Sequence, residues 1–160
     1  MLIEALALYG TRETAGPGNT PAIMDWAREI GPGIAKIYTA DSVPWCGLFA
    51  AIVAKRAGKS LPESPLWARA WASWGTRSPV AMLGDILVFV RPGGGHVGLY
   101  VAETSSEYAV LGGNQGDAVS IVLIAKSRCI AVRRHYQIAA PANVRPIKIK
   151  ASGALSTNEA

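Results

Sequence analysis

The feature that most limits what this chain can fold into is a change of hydrophobic period at Gly84. After it come five short runs rich in β-branched residues, separated by turn residues. They are ILVFV (86–90), HVGLYVA (96–102), YAVLGG (108–113), VSIVLI (119–124) and CIAVRRHY (129–136). Before it the spacing is helical. Leu2 to Tyr9 reads as a short helix and GTRETAGPGNT (10–20) as a turn-rich loop. Thr20 then caps a helix that has Pro21 in its first turn, carries Ile23, Ala27 and Ile30 on one face and stops at Gly31. SPLWARAWASWG (64–75) opens with Ser64 as cap and Pro65 in the first turn. It puts Trp67, Ala70, Trp71 and Trp74 on one face, read as core rather than as a sugar-stacking platform. Helices first and an antiparallel sheet after them make an α+β domain, N-terminal helices packed on a small sheet.

At 160 residues, half of them hydrophobic, the chain is long enough for one domain with a real core. That domain is expected over residues 1–140. From 141 to 160 the small, polar and basic residues show no period and read as a flexible tail or linker. The net charge of +5 suits an anionic partner. The basic residues are scattered without an aromatic-interleaved stripe, so nucleic acid is not the expected partner. No apolar run approaches the roughly 18 residues that span a bilayer, so no stable membrane insertion is expected. MLIEALALYG has neither a basic n-region nor a small-residue cleavage site, so the expectation is a chain made in the cytoplasm without a signal peptide. Two cysteines, Cys46 and Cys129, are too few for a disulfide scaffold and lack metal-ligand spacing; neither metal nor organic cofactor is expected.

The segment VPWCGLFAAIVAKRAG (43–58) carries the chemistry. Cys46, Phe49, Ala50, Val53, Ala54 and Ala57 form one helical stripe, with Lys55 and Arg56 on the other face. A lone cysteine is ordinarily a small packed hydrophobe. Pro44, however, belongs just before a helix start, which puts the sulfur in the first turn, where unpaired N–H groups and the helix dipole favour a thiolate. Gly47 offers an unobstructed N–H for an oxyanion. A nucleophilic thiol needs a base, and the chain has only two histidines, His96 and His135. His96 follows Pro-Gly-Gly-Gly and opens a strand on which it shares a face with Gly98 and Tyr100, Gly98 leaving space beside the imidazole. His135, in Arg-Arg-His-Tyr, reads as a solvated strand-end residue.

A catalytic imidazole needs a third group to fix its tautomer. If residues 96–102 and 108–114 pair about a turn centred on Ser105, paired positions sum to 210. His96 then faces Asn114, Gly98 faces Gly112 and Tyr100 faces Val110, while Gln115 points away. On composition alone, Asn114 is equally well a turn residue of Gly-Gly-Asn-Gln-Gly.

Pro-Trp-Cys before a helix, Gly-Asp-Ile before a strand, Gly-His-Val-Gly-Leu-Tyr and Val-Leu-Gly-Gly-Asn-Gln, in that order, resemble papain-like cysteine peptidoglycan hydrolases. The nearer kin are the CHAP amidohydrolase/peptidase group and its NlpC-type relatives, including small phage and prophage forms, and the resemblance runs from Leu6 to Tyr136. It implies a papain-like domain that cleaves an amide of the wall peptide through an acyl-enzyme, with Cys46 as nucleophile, His96 as base and Asn114 as third residue. Many CHAP members carry an acidic group in that third place, and an amide stabilises imidazolium less than a carboxylate does. Trp45, Gly47, Asp41 and Gly98 are the expected substrate-binding residues. Peptidoglycan is then the partner, and a holin, virion or secretion apparatus the means of reaching the wall or periplasm, with an immunity protein as a further candidate partner. Two other readings of the same residues are a noncatalytic wall-binding or virion structural module, and a cysteine deamidase or acyltransferase on another substrate.

Overall fold

The computed structural model describes residues 1–136 and 139–150. Four α-helices come first: α1 (Leu2–Ala7), α2 (Pro21–Ile30), α3 (Pro32–Ile37) and α4 (Cys46–Arg56). A 3₁₀ helix, Ala68–Ser73, leads into six strands: β1 (Thr76–Arg77), β2 (Ile86–Arg91), β3 (Gly94–Glu103), β4 (Glu107–Gly112), β5 (Ser120–Ala125) and β6 (Cys129–Arg134). They form one sheet in the order β1-β6-β2-β3-β4-β5, antiparallel at each pairing. The chain is an α+β fold.

α2 starts at Pro21 because a proline at N1 loses no hydrogen bond and presets φ. Thr20 precedes it without the expected side-chain cap, its hydroxyl donating instead to the Arg12 carbonyl at 3.0 Å. α3 was not among the expected helices. Gly31, at φ 153, ends α2, and Pro32 starts the next helix at once.

α4 differs from the amphipathic reading. Every residue from Cys46 to Ala54 is buried, so the helix is central rather than one-sided, and only Lys55 and Arg56 emerge. These two tie it to α2: the Lys55 ammonium donates to the Glu29 and Ile30 carbonyls, and Arg56 grips the Glu29 carboxylate with two nitrogens at 2.9 and 2.6 Å. Side chains such as Leu48, Phe49 and Ile52, fully out of water, each contribute about 1.5–3 kcal/mol.

Strand alternation divides the core. Ile86, Val88, Val97, Leu99 and Leu111 face the helices; Leu87, Phe89, Tyr100, Val110 and Ile124 form a separate cluster on the far face. The tryptophan stripe holds in part: Trp71 and Trp74 are buried, but Trp67 is 74 % exposed. It precedes the 3₁₀ helix in an extended conformation (φ −90, ψ 114), so helical spacing does not carry it inward.

The 210 register holds at Leu99↔Leu111 and Tyr100↔Val110, then shifts at a bulge to Ala102↔Ala109 and Glu103↔Tyr108. In the other direction β4 stops at Gly112, so the ladder never reaches residue 114. The segment expected to hang free from Pro141 docks instead. Glu103 N–H donates to Ile147 O at 2.8 Å, Ile149 N–H to Glu103 O at 2.9 Å, and Leu83 N–H to Arg145 O at 3.0 Å. Positions 137–138 and 151–160 lie outside the described residues. Among the described residues no helix is long and apolar enough to cross a membrane.

Candidate active site

Cys46 is the first residue of α4, and the chain around it is fixed by contacts that reassign two predicted groove residues. Asp41 is buried, accepting from Thr20 N–H at 2.6 Å while its own N–H donates to Asn19 Oδ1 at 3.0 Å. It clamps the 19–20 loop to the approach of α4. Trp45 is fully buried and donates through Nε1 to Glu13 at 2.9 Å. Neither lines the groove beside Cys46. Gly47 is demanded by packing, since a Cβ there would sit 2.2 Å from the Leu66 carbonyl oxygen.

The Cys46 side chain reaches β3. Burial pushes its thiol up; the backbone N–H of Val97, the charge of Arg91 and the N–H groups of Gly47 and Cys46 pull it back, and the net direction is upward. The lowered value expected from the helix start is therefore corrected: desolvation outweighs the helix start, and the resting sulfur is a neutral thiol. The availability of the Val97 N–H follows from the sheet. Tyr100 N–H donates toward β2, to Asp85 O at 2.8 Å, so by alternation the N–H of Val97 points toward the β4 side. There β4 has already ended, and Gly113 has moved against α4, where a Cβ would lie 2.5 Å from Phe49 and 2.8 Å from Trp45. The thiol sits at this parting of β3 and β4.

His96 is fully buried. Its ring lies on the sheet face away from α4, 6.4 Å from that of Phe89, its direct β2 partner. Thiol and imidazole thus belong to opposite faces of β3, the thiol meeting the backbone of Val97, the residue after His96. His96 Nε2 is 2.9 Å from Gln115 Oε1. The Gln115 amide has only one workable orientation, because its nitrogen donates to two carbonyls, Val110 O at 3.2 Å and Ser120 O at 2.6 Å. Its oxygen must therefore face the imidazole, and an amide oxygen only accepts. Nε2 therefore carries a proton and donates it to Gln115.

Gln115, predicted to point away, thus holds the place assigned to Asn114. Parity fails because the chain leaves the strand after Gly112: Asn114 has φ 58, Gly116 φ 64 and Asp117 φ 57. This left-handed turn folds Gln115 back under the sheet, where its N–H donates to Ala118 O at 2.9 Å. Gly112 makes the pair sterically feasible, since a Cβ there would lie 2.6 Å from Gln115 Oε1 and 3.0 Å from His96 Nε2. Gly98 does not leave room for a substrate: a Cβ would meet Val110 Cγ1 at 2.5 Å, so the neighbouring strand already fills that space.

Beside Cys46 lies a groove of about 660 Å³ whose walls include Tyr38, Pro44, Leu66, Trp67, Arg69 and Gly93–Gly95. Arg69 donates to Gly94 O at 3.0 Å and Arg91 to Gly95 O at 3.3 Å, so two guanidinium groups hold the glycine turn before His96. Sequence reasoning missed Gln115, Trp67, Arg69 and Arg91; the Gly-Gly-Asn-Gln-Gly run was the available sign that strand parity ends there. His135 is stacked on Trp74 at 4.9 Å rather than solvated, with Nε2 3.4 Å from Ser60 Oγ. Among the described residues no group of three or more His, Cys, Asp or Glu side chains could hold a metal ion. No protein family, curated protein or solved structure matches the chain.

Proposed function

We propose that this chain is a papain-like cysteine hydrolase that cleaves an amide bond of the bacterial wall peptide, with Cys46 as nucleophile, His96 as base and Gln115 in place of Asn114 as the orienting residue. One observation carries the reading: an imidazole held in a single tautomer by Gln115 belongs to the residue adjoining Val97, whose N–H meets a helix-start thiol.

In this reading the His96 ring rests neutral, with its lone pair on Nδ1. His96 Nδ1 takes the thiol proton as sulfur bonds to the substrate carbonyl carbon, and the resulting imidazolium keeps its Nε2–H on Gln115. Backbone N–H groups at the start of α4 hold the tetrahedral oxyanion. The imidazolium gives its proton to the amine as the C–N bond breaks, leaving a thioester. His96 then deprotonates water, which attacks the thioester and releases the acid and the thiol. The net charge of +5 suits an anionic wall. Delivery by a holin, virion or secretion apparatus, and control by an immunity protein, belong to the same proposal.

The test is digestion of purified peptidoglycan with mass analysis of the fragments, for the native chain and Cys46→Ala. New fragments ending at one peptide amide bond with the native chain, and none with Cys46→Ala, are expected. A native chain that sediments with the wall but releases nothing is instead a noncatalytic wall-binding module.

A further inference from the structure

The groove beside Cys46 has a charge pattern that the proposed reaction leaves unused. Arg69 is the sole charged residue among its lining residues, and no carboxylate lines it. The guanidinium is exposed, yet anchored by one nitrogen on Gly94 O, which fixes it at the rim without neutralising it. Arg91 adds positive charge, strongly enough to act on the Cys46 thiol. Trp67 also lines the groove and is 74 % exposed, while Trp26, Trp45, Trp71 and Trp74 are all buried. Its backbone is held against α4 through the Leu66–Gly47 contact, so the indole is presented from a fixed base. An exposed indole and an anchored, unneutralised guanidinium lining one groove suit an apolar peptide segment that carries a carboxylate.

Resting on the peptide-hydrolase reading, we propose that this groove selects substrate peptides by a free carboxylate, with Arg69 as the specificity-determining cation and Trp67 as the packing wall. The experiment uses the full chain carrying Cys46→Ala, titrated with a synthetic wall tetrapeptide bearing free carboxylates and with the same peptide as its carboxamide, and followed by the fluorescence of the exposed tryptophan. The carboxylate form should bind about tenfold more tightly, the worth of one charge-assisted pair. Arg69→Gln should abolish that preference and Trp67→Phe the signal. In the chain with its thiol, Arg69→Gln should raise KM on the carboxylate peptide about tenfold and leave KM on the carboxamide within about twofold. Equal affinities for the two peptides, or a preference that survives Arg69→Gln, would overturn the assignment. A preference without cleavage by the native chain keeps the groove assignment and removes the hydrolase reading; cleavage without a preference does the reverse.

Discussion

At its first residues β3 loses its β4 neighbour; the Cys46 thiol meets the Val97 N–H there, and His96 pairs with Gln115 on the other face. At its last residues β3 outruns β2, and the chain at 147–149 takes the vacant place, forming a parallel bridge between Glu103 and Lys148. Both ends bury polar groups, by different means. The open end uses an amide to orient a ring, Gln115 holding His96 Nε2 while its own nitrogen is held by two carbonyls. The closed end uses charge with redundancy: Glu103 meets Lys126, Lys148 at 2.8 Å and the Tyr100 hydroxyl at 3.3 Å. Burial pushes the Glu103 carboxyl up, but the hydrogen bonds and charges of Lys126 and Lys148 together hold it below its ordinary value. An amide with one workable orientation keeps a proton on Nε2 and loses that control when it is removed. A redundant ionic network tolerates loss and serves attachment.

The strongest break in this contrast is Cys46→Ala, expected to fold and to lose wall hydrolysis entirely, while Cys129→Ala retains it. Cys129 is half-buried, its Sγ lying 3.4 Å from the nearby Ala131 carbonyl. Release of soluble wall peptides measures both. Next is Gln115→Ala, which leaves the base in place but frees its tautomer and should lower kcat about 10–100-fold. Asn114→Gly should keep nearly full activity, because glycine takes the left-handed conformation of residue 114 at no steric cost. If Asn114→Gly were the damaging change and Gln115→Ala silent, the roles assigned here would be reversed.

At the closed end, truncation before Pro141 should leave activity per folded molecule intact and cost about 1–3 kcal/mol, read as a fall in Tm of several degrees. An unchanged Tm would mean that the docking of 145–149 contributes no stability. The smallest effect is in pH dependence. The folded Glu103 carboxyl lies below its ordinary value of 4.5, so its contribution is full above that value and is lost as pH falls through the folded one. Glu103→Gln should therefore destabilise near neutrality and narrow its deficit in acid, as urea midpoints across pH would measure.

The same two ends mark how much was legible in the sequence. The five long strands followed from β-branched runs between turn residues, and the placing of Cys46 at a helix start from Pro44, because both are local rules. The hairpin register was right at Leu99 and Tyr100 and failed at Asn114, since parity arguments end where a strand ends and only the turn-rich Gly-Gly-Asn-Gln-Gly run marked that β4 stops at Gly112. The depth of the thiol was also illegible: the helix start predicts a lowered value, but burial depends on Gly113 and the parting strands packing over it. Trp67 was assigned to the core by a helical spacing that begins one residue after it. Docking at 145–149 uses backbone groups and Tyr100, which leave no hydrophobic period to read.

The central claim is that Gln115 fixes His96 with its proton on Nε2 and its lone pair on Nδ1. Nitrogen-15 NMR of the imidazole rings at neutral pH tests it directly and without a substrate, with His135→Gln used to assign the signals. The account predicts a single Nε2–H tautomer for His96 in the native chain and a mixture of tautomers in Gln115→Ala. A native His96 protonated on Nδ1, or one indifferent to Gln115→Ala, would contradict it.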